Sequence, residues 1–325
     1  MTNYILKRIL LMIPILFGVV VIIFTLMYVT PGDPAIAILG ENATPEAIQD
    51  IQNKLGLNDP YLVRLTKYFL GVFKGDFGIS YRTGRPVFEE IMARYPNTLI
   101  LTFSSVVLGV LIGVTAGIIS AVRQYSLLDK LLTSFSLFGV SAPSFWLAMV
   151  LVLFFSVKLQ WLPATGSYGL KYWVLPVFTL GLQASASIMR MTRSSMLEVI
   201  RQDYIRTSKA KGQSNFMTIM RHAFKNAQVP ILTIIGIRIT HFLAGAVLVE
   251  TVFSIPGLGA FIISSVNFKD YPVVQGGVLW IALNCIVITL IVDILYCFVD
   301  PRIKSAFSKK KKRIIATSVE KVGGR

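Results

Sequence analysis

The sequence predicts an all-α integral membrane protein: six transmembrane helices with a small helical extracytoplasmic lid. Three observations carry this. Apolar residues are 54% of the 325 and charged residues only 15%, where soluble chains average about 45–50% and about 25%. Six runs are apolar over about the 20 residues that a helix needs to cross a bilayer. The formal charge of +16 falls almost wholly on one side of those runs.

The runs are Ile9–Tyr28, Thr98–Val122, Leu131–Val157, Trp173–Met191, Ile231–Phe253 and Gly276–Val299. The first follows Lys7 and Arg8, as a signal peptide would. Its apolar core is too long for one and no small-x-small cleavage pattern follows, so it reads as a retained anchor. Pro143 interrupts the third run and Pro176 lies near the start of the fourth, marking both as candidates for a bend. Gly109, Gly113 and Gly117 form a small-residue stripe that lets another helix approach closely.

Charge sets the orientation. One side holds Lys7, Arg8, Arg123, Lys130, the eight basic residues from Arg190 to Lys225, and the tail with Lys309–Arg313. The segment 29–97 on the other side holds seven basic residues against eight acidic ones, Glu41 among them. Lys and Arg are retained in the cytoplasm on insertion, so both termini are expected there. The basic excess is then topological, and the nucleic-acid reading loses its support. The tail reads as a solvated, topology-fixing run, with anionic lipid as the other option.

The expected organisation is a first span over 1–30, a lid over 31–94, a five-helix domain over 95–300 with a cytoplasmic loop at 190–230, and a basic tail over 301–325. In the lid, Thr30-Pro-Gly-Asp-Pro34 makes a rigid exit, Thr44 caps a helix over Pro45–Leu55, a second amphipathic helix covers Tyr61–Phe73, and Gly75–Ser80 is a turn. In the cytoplasmic loop, Gly212 breaks a helix ending near Ala210 and Ser214 caps another. Phe216, Ile219, Met220, Ala223 and Phe224 share one face of the second, Asn226 ends its pattern, and Pro230 opens the next span. Such a face suits lipid headgroups or a partner's groove equally.

Catalytic and metal signatures are missing from the sequence: it has no phosphate loop, no Gly-x-Ser-x-Gly, no His-Glu-x-x-His and no Cys-x-x-Cys. Two histidines without a nearby thiolate do not suggest zinc. Cys285 and Cys297 lie twelve positions apart, ~18 Å along a helix, too far for a bridge. Charges inside the runs are Arg238, Glu250 and Asp293. Glu250 lies near an outer boundary, where it can snorkel. Arg238 and Asp293 each lie about two turns inside and are expected to pair across the fifth and sixth spans; a translocation path or proton coupling are the other roles for such residues. Ser and Thr are dense in the second to fourth spans, as a wet pathway needs, although many bond only their own helix.

At the loop the chain resembles the membrane subunits of bacterial ABC importers, in the branch for dipeptides, oligopeptides, glutathione and nickel. The residues that carry it are Arg190-Met-Thr-Arg-Ser-Ser-Met-Leu-Glu-Val199, Asp203-Tyr-Ile-Arg-Thr-Ser-Lys-Ala-Lys-Gly212 and His222-Ala-Phe-Lys-Asn-Ala227. Pro31-Gly-Asp-Pro34, Gly75-Asp-Phe-Gly-Ile-Ser80, Phe253-Ser-Ile-Pro-Gly-Leu-Gly259, Asp270-Tyr-Pro-Val-Val-Gln275 and Val292-Asp-Ile-Leu-Tyr296 extend it over residues 1–305. Arg206-Thr207-Ser208 stand where the wider family has Glu-Ala-Ala, which is usual in the peptide branch. The resemblance implies a type I importer fold in the bacterial inner membrane, a second permease, two cytoplasmic ATPase subunits that bind ATP and Mg, and an extracytoplasmic binding protein. This chain would hold no cofactor and hydrolyse nothing. Arg206, Thr207, Ser208, Lys209, Ala210, Lys211, Gly212, Phe216, Met220, His222 and Asn226 would couple to the ATPase. Asp33, Asp76 and Phe77 would meet the binding protein. Peptides are the expected cargo; glutathione, a nickel or other metal chelate, and haem are the alternatives. A secondary transporter or channel would call for inverted repeats and broken mid-membrane helices, and the sequence has no duplication.

Overall fold

The structure is a computed structural model that describes residues 2–40 and 42–299. Glu41 and the basic tail lie outside the described residues. Thirteen helices account for the regular structure among those described, with one isolated bridge between Ile79 and Pro86. They are α1 Thr2–Val29, α2 Pro34–Leu39, α3 Pro45–Lys54, α4 Tyr61–Phe73, α5 Val87–Val122, α6 Leu127–Ser141, α7 Ser144–Lys158, α8 Leu170–Ile200, α9 Asp203–Ala210, α10 Asn215–Gly245, α11 Val247–Val252, α12 Leu258–Asn267 and α13 Tyr271–Val299.

The small lid helices start where their caps require. The Asp33 carboxylate accepts the Ala35 N–H at 2.8 Å and Pro34 opens α2. Thr44 Oγ1 accepts the Ala47 N–H at 3.3 Å and Pro45 opens α3. Proline at the first helical position loses no intrahelical hydrogen bond.

Several long helices exceed their apolar runs. α5 starts at Val87, eleven residues before the expected Thr98, because Glu90 and Arg94 pair one turn apart on an extension out of the apolar zone. The expected lid boundary at residue 94 therefore falls inside a helix. The fifth run stops early: α10 ends at Gly245, and α11 is a separate short helix. The third run is two helices, α6 and α7, bent by 106° around Ala142-Pro143. Pro143 cannot supply a backbone N–H and restricts the residue before it.

Five helices are individually long and apolar enough to span a bilayer, six if the bent pair counts as one span. Packing decides for six. Against α5, Gly109 meets Gly181 and Ala184, Gly113 meets Ser185 and Ile188, and Gly117 meets Met189 and Thr192. The numbers rise together, so α5 and α8 run parallel, and parallel neighbours in a membrane need a return crossing between them. α6 and α7 are that crossing. A Cβ on Gly113 would lie 2.7 Å from the Ser185 carbonyl oxygen, so the stripe permits backbone-to-backbone contact. By the same reasoning α13 is antiparallel to α10, through Thr233–Tyr296 and Gly236–Val292. It is antiparallel to α1 as well: Arg8 forms an ion pair with Asp293 at 2.9 Å, and Gly32 O accepts from the Tyr271 hydroxyl at 3.2 Å. The start of α1 and the end of α13 thus share one end of the bundle, and the lid sits at the other.

Three apolar clusters fill the bundle. One at the lid end joins Val87, Ile91, Leu258 and Val273 to α4. A central one includes Leu101, Ile188 and Phe242. The third, at the terminal end, joins Ala121, Met196, Ile205, Ala223, Ala227 and Ile231; it seats α9 and the start of α10 on the ends of α5 and α8.

Candidate functional site

The terminal end carries a braced helix–turn–helix. α9 is eight residues long and buries only Ile205. Gly212 then adopts φ +81° with open space around it, a backbone conformation that a side chain would strain. Ser214 Oγ accepts the Met217 N–H at 3.3 Å and opens α10. Gln213 ties the two helices together. Its carbonyl oxygen accepts the Ser208 hydroxyl at 2.7 Å and the His222 Nε2–H at 2.9 Å. Asn226 Nδ2 donates to the His222 carbonyl at 2.8 Å. Ser208 and His222 therefore hold the turn's shape through Gln213, while the Asn226 bond stays within α10.

The apolar face expected on the second helix divides. Ala223 is buried, and Ile219 and Phe224 pack on the terminal cluster. Phe216 is 75% exposed and Met220 is exposed one turn on; Tyr204 and Met217 are exposed as well. Arg206, Thr207, Lys209, Ala210 and Lys211 are all exposed on or beside α9. Arg206 reaches its own helix's Asp203 at only 3.9 Å.

One expectation is corrected. The helix that begins at Asn215 does not end at Asn226 but runs through Pro230 to Gly245. A π-helical stretch over Thr218–Phe224 lies within it, and Pro230 forfeits a single backbone hydrogen bond in a helix otherwise held by its packing. The turn is therefore continuous with a membrane span rather than linked to it by a loop.

Beneath this unit Arg193 of α8 grips Asp129 of α6 with both arms, Nε at 2.7 Å and Nη2 at 2.8 Å. Ser120 of α5 bonds the same carboxylate, and the Tyr125 N–H donates to it at 3.0 Å. Asp129 is buried. Three helix ends converge on one paired charge, a geometry that fixes their relative positions.

At the lid end the segments around residues 80 and 270 meet. The buried Asp270 carboxylate accepts the Ser80 hydroxyl at 2.5 Å and the Tyr81 N–H at 3.0 Å. Phe77 is not a surface residue: it is buried, stacks on Phe88 and joins the lid-end cluster. Asp33 is half-buried, caps α2 and accepts from the Gln52 amide. Only Asp76 of the three expected contacts stands exposed, its carboxylate accepting the Gly78 N–H. Phe77 turns inward because a ring beside Gly276, where a side chain has no room, fills the space between lid and α13.

The intramembrane charges also differ from expectation. Asp293 pairs with Arg8, not Arg238. The reason is helical phase. Thr233, Gly236 and Thr240 face α13, and Arg238 follows Gly236 by two residues, about 200° around the helix. Glu250 does not snorkel. It is fully buried on α11 and accepts from the Thr98 hydroxyl at 2.6 Å and the Ala260 N–H at 2.8 Å. Gly257 and Gly259 lie so close that a Cβ on either would meet its carboxylate.

Gln213, Asp129, Asp270 and Glu250 were not singled out as anchors by sequence reasoning. A polar residue in a loop, or an isolated carboxylate beside a span, has no periodicity to betray its partner. The Phe253–Gly259 and Asp270–Gln275 motifs were the available signals for the last two.

Known proteins place this geometry. Residues 113–305 match the family described as binding-protein-dependent transport system inner membrane component, and residues 1–102 match its N-terminal counterpart. The dipeptide transport system permease protein DppB of Alkalihalophilus pseudofirmus is 43% identical, over 94% of this chain and all of its own length. The glutathione transport system permease protein GsiC of Escherichia coli is 40% identical, over 94% of this chain and 99% of its own. Among solved structures, a chain of the inward-facing MetNI methionine ABC transporter superposes with a TM-score of 0.57 at 19% identity, covering 66% of this chain and 97% of its own, a likeness of fold. With both family regions matched in order along a six-crossing helical bundle, the chain belongs to the binding-protein-dependent transport system inner membrane components.

Proposed function

We propose that this chain is one of two permease subunits in an ATP-driven importer, forming with a second, homologous permease the path for short peptides. Two cytoplasmic ATPase subunits power it, and an extracytoplasmic binding protein delivers cargo. The observation that carries the reading is the braced turn, with Phe216 and Met220 displayed on a helix that continues into a membrane span. A partner cleft that buries these side chains can move α10 as a lever, because Gln213, Gly212 and the Asp129–Arg193 clamp keep the turn from yielding locally. Arg206, Lys209 and Lys211 steer acidic groups at the rim, Thr207 and Ala210 complete the docking surface, and Ser208, His222 and Asn226 position it. The basic side of the bundle is cytoplasmic, in keeping with the distribution of Lys and Arg. Asp76 meets the binding protein, with Asp33 and Phe77 supporting the lid from within. Lipid surrounds the outward faces of α1, α6 and α7.

The peptide assignment leans on the dipeptide relative, and glutathione, itself a peptide with two carboxylates, is the nearest alternative cargo. Vesicles holding this chain, its partner permease and the ATPase subunits test the reading. Labelled dipeptide presented on its binding protein should accumulate only with ATP inside the reach of the ATPase. Accumulation driven by an ion gradient without ATP would place the chain among secondary transporters instead.

A further inference from the structure

Two arginines toward the terminal end of the bundle lie without an anion among the described residues. Met196 of α8 and Ile231 of α10 pack in the same cluster at the terminal end. Arg190 lies six residues deeper along α8, about 9 Å, and Arg238 seven residues deeper along antiparallel α10, about 10 Å. They share one level on two helices that pack against each other. Among the described residues neither has an acidic partner or an accepting oxygen. The Nε of Arg238 is buried and unbonded, whereas Arg190 is exposed.

Polar side chains surround Arg190. Arg190 lines an open cavity of about 600 Å³ with Thr133, Ser136, Ser194, Gln202 and Arg201. Arg193 in the same wall is neutralised by Asp129, and Glu198, which lines the same cavity, lies two turns nearer the terminal end and makes no ion pair with Arg190. Arg238 sits on the side of α10 away from α13, on the stripe with Ile231, Ile235 and Phe242 that packs into the core. Two unpaired guanidinium groups at one depth are costly unless an anion visits them. Arginine's planar fork suits a carboxylate.

We infer that Arg190 and Arg238 form a carboxylate-binding station in the translocation path, taking the anionic terminus of the cargo in transit. The inference rests on the peptide-importer reading and assigns its specificity to this chain as well as to the binding protein. Two residues on separate helices can hold a carboxylate in one state of the importer and release it when α8 and α10 shift.

Uptake of alanyl-phenylalanine by the reconstituted importer, with saturating loaded binding protein, is the first test. Arg190→Gln and Arg238→Gln should each lower uptake at least tenfold in complexes that still co-purify, and Arg238→Lys should keep a third or more. Gln variants within twofold of the parent, or Lys no better than Gln, overturn the station. No ATP-dependent uptake by the unmodified importer would instead overturn the function it rests on. A second measurement needs no transport. In the assembled importer with Cys285→Ala and Cys297→Ala, Arg238→Cys should react at least tenfold faster with a sulfonate-bearing methanethiosulfonate than with a trimethylammonium one, after correction for intrinsic reactivity. Arg190→Gln should abolish that preference. An unreactive Cys, as a lipid-facing or dry position would give, or a preference for the cation, contradicts the inference.

Discussion

At Gly212 the side chain is a single hydrogen, and the turn depends on it. With φ at +81°, alanine costs about 1–2 kcal/mol in the left-handed region, while proline, fixed near −65°, cannot adopt the turn at all. Gly212→Ala should therefore keep reduced uptake and Gly212→Pro should lose it, with insertion intact in both; equal uptake by the two in the vesicle assay would remove the turn from the mechanism. Gln213→Ala removes two hydrogen bonds in a solvated place, each worth about 1 kcal/mol. It should loosen the unit and reduce coupling severalfold, read as transport per ATP hydrolysed. Glycine, the serine cap and the Phe216–Met220 spacing were visible in the sequence because each follows a local rule. Gln213 was not, because its partners Ser208 and His222 become neighbours only when the turn has formed. The proposed Arg238–Asp293 pair failed for a related reason: depth along a helix can be read from the sequence, but the direction a residue faces cannot until its neighbours are known.

Among elements, the α5–α8 contact organises the bundle. The glycine stripe was legible, and the structure adds that its partner is α8 and that the two run parallel. Gly113→Leu would drive a side chain into Ser185 and Ile188. It should abolish stable insertion or assembly, measured as the monodisperse fraction in detergent. The clamp at the terminal end was not legible, since Asp129 and Arg193 are 64 residues apart and each sits in an ordinary amphipathic segment. Asp129→Ala leaves the Arg193 guanidinium, only a quarter exposed, without its carboxylate. Loss of one partner of a buried pair costs ~3–5 kcal/mol, and the partial exposure of Arg193 places this one at or below the lower end. A clear fall in the thermal midpoint of the purified subunit is expected, with the double change Asp129→Leu, Arg193→Met recovering part of it; an unchanged midpoint in the single variant would show that the clamp carries no stability. The lid shows the same division. Its helices followed from Thr44, Pro45 and apolar spacing, while its seat on Asp270, nearly two hundred residues away, did not.

For the whole molecule, six crossings follow from both lines of reasoning. The sequence counted apolar runs; the structure recovers the sixth because parallel α5 and α8 require a return between them. Its 106° bend was foreshadowed only by Pro143. The resulting layout puts the lid at one end and the braced turn with exposed Phe216 and Met220 at the other, joined by the unbroken helices α5, α8, α10 and α13 and by the bent crossing of α6 and α7. In the proposed coupling, force on the turn would reach the bundle through α10 itself. Phe216 and Met220 would each contribute about 1.5–3 kcal/mol on full burial in a partner cleft, so losing both should weaken the contact at least a hundredfold.

The most direct measurement is paired: ATPase co-purification and ATP-dependent uptake for Phe216→Asp with Met220→Asp. Coupling through this turn predicts that the double variant inserts and retains its partner permease, loses the ATPase subunits and shows no uptake. ATPase subunits retained at normal stoichiometry, with uptake at the parental rate, would contradict it.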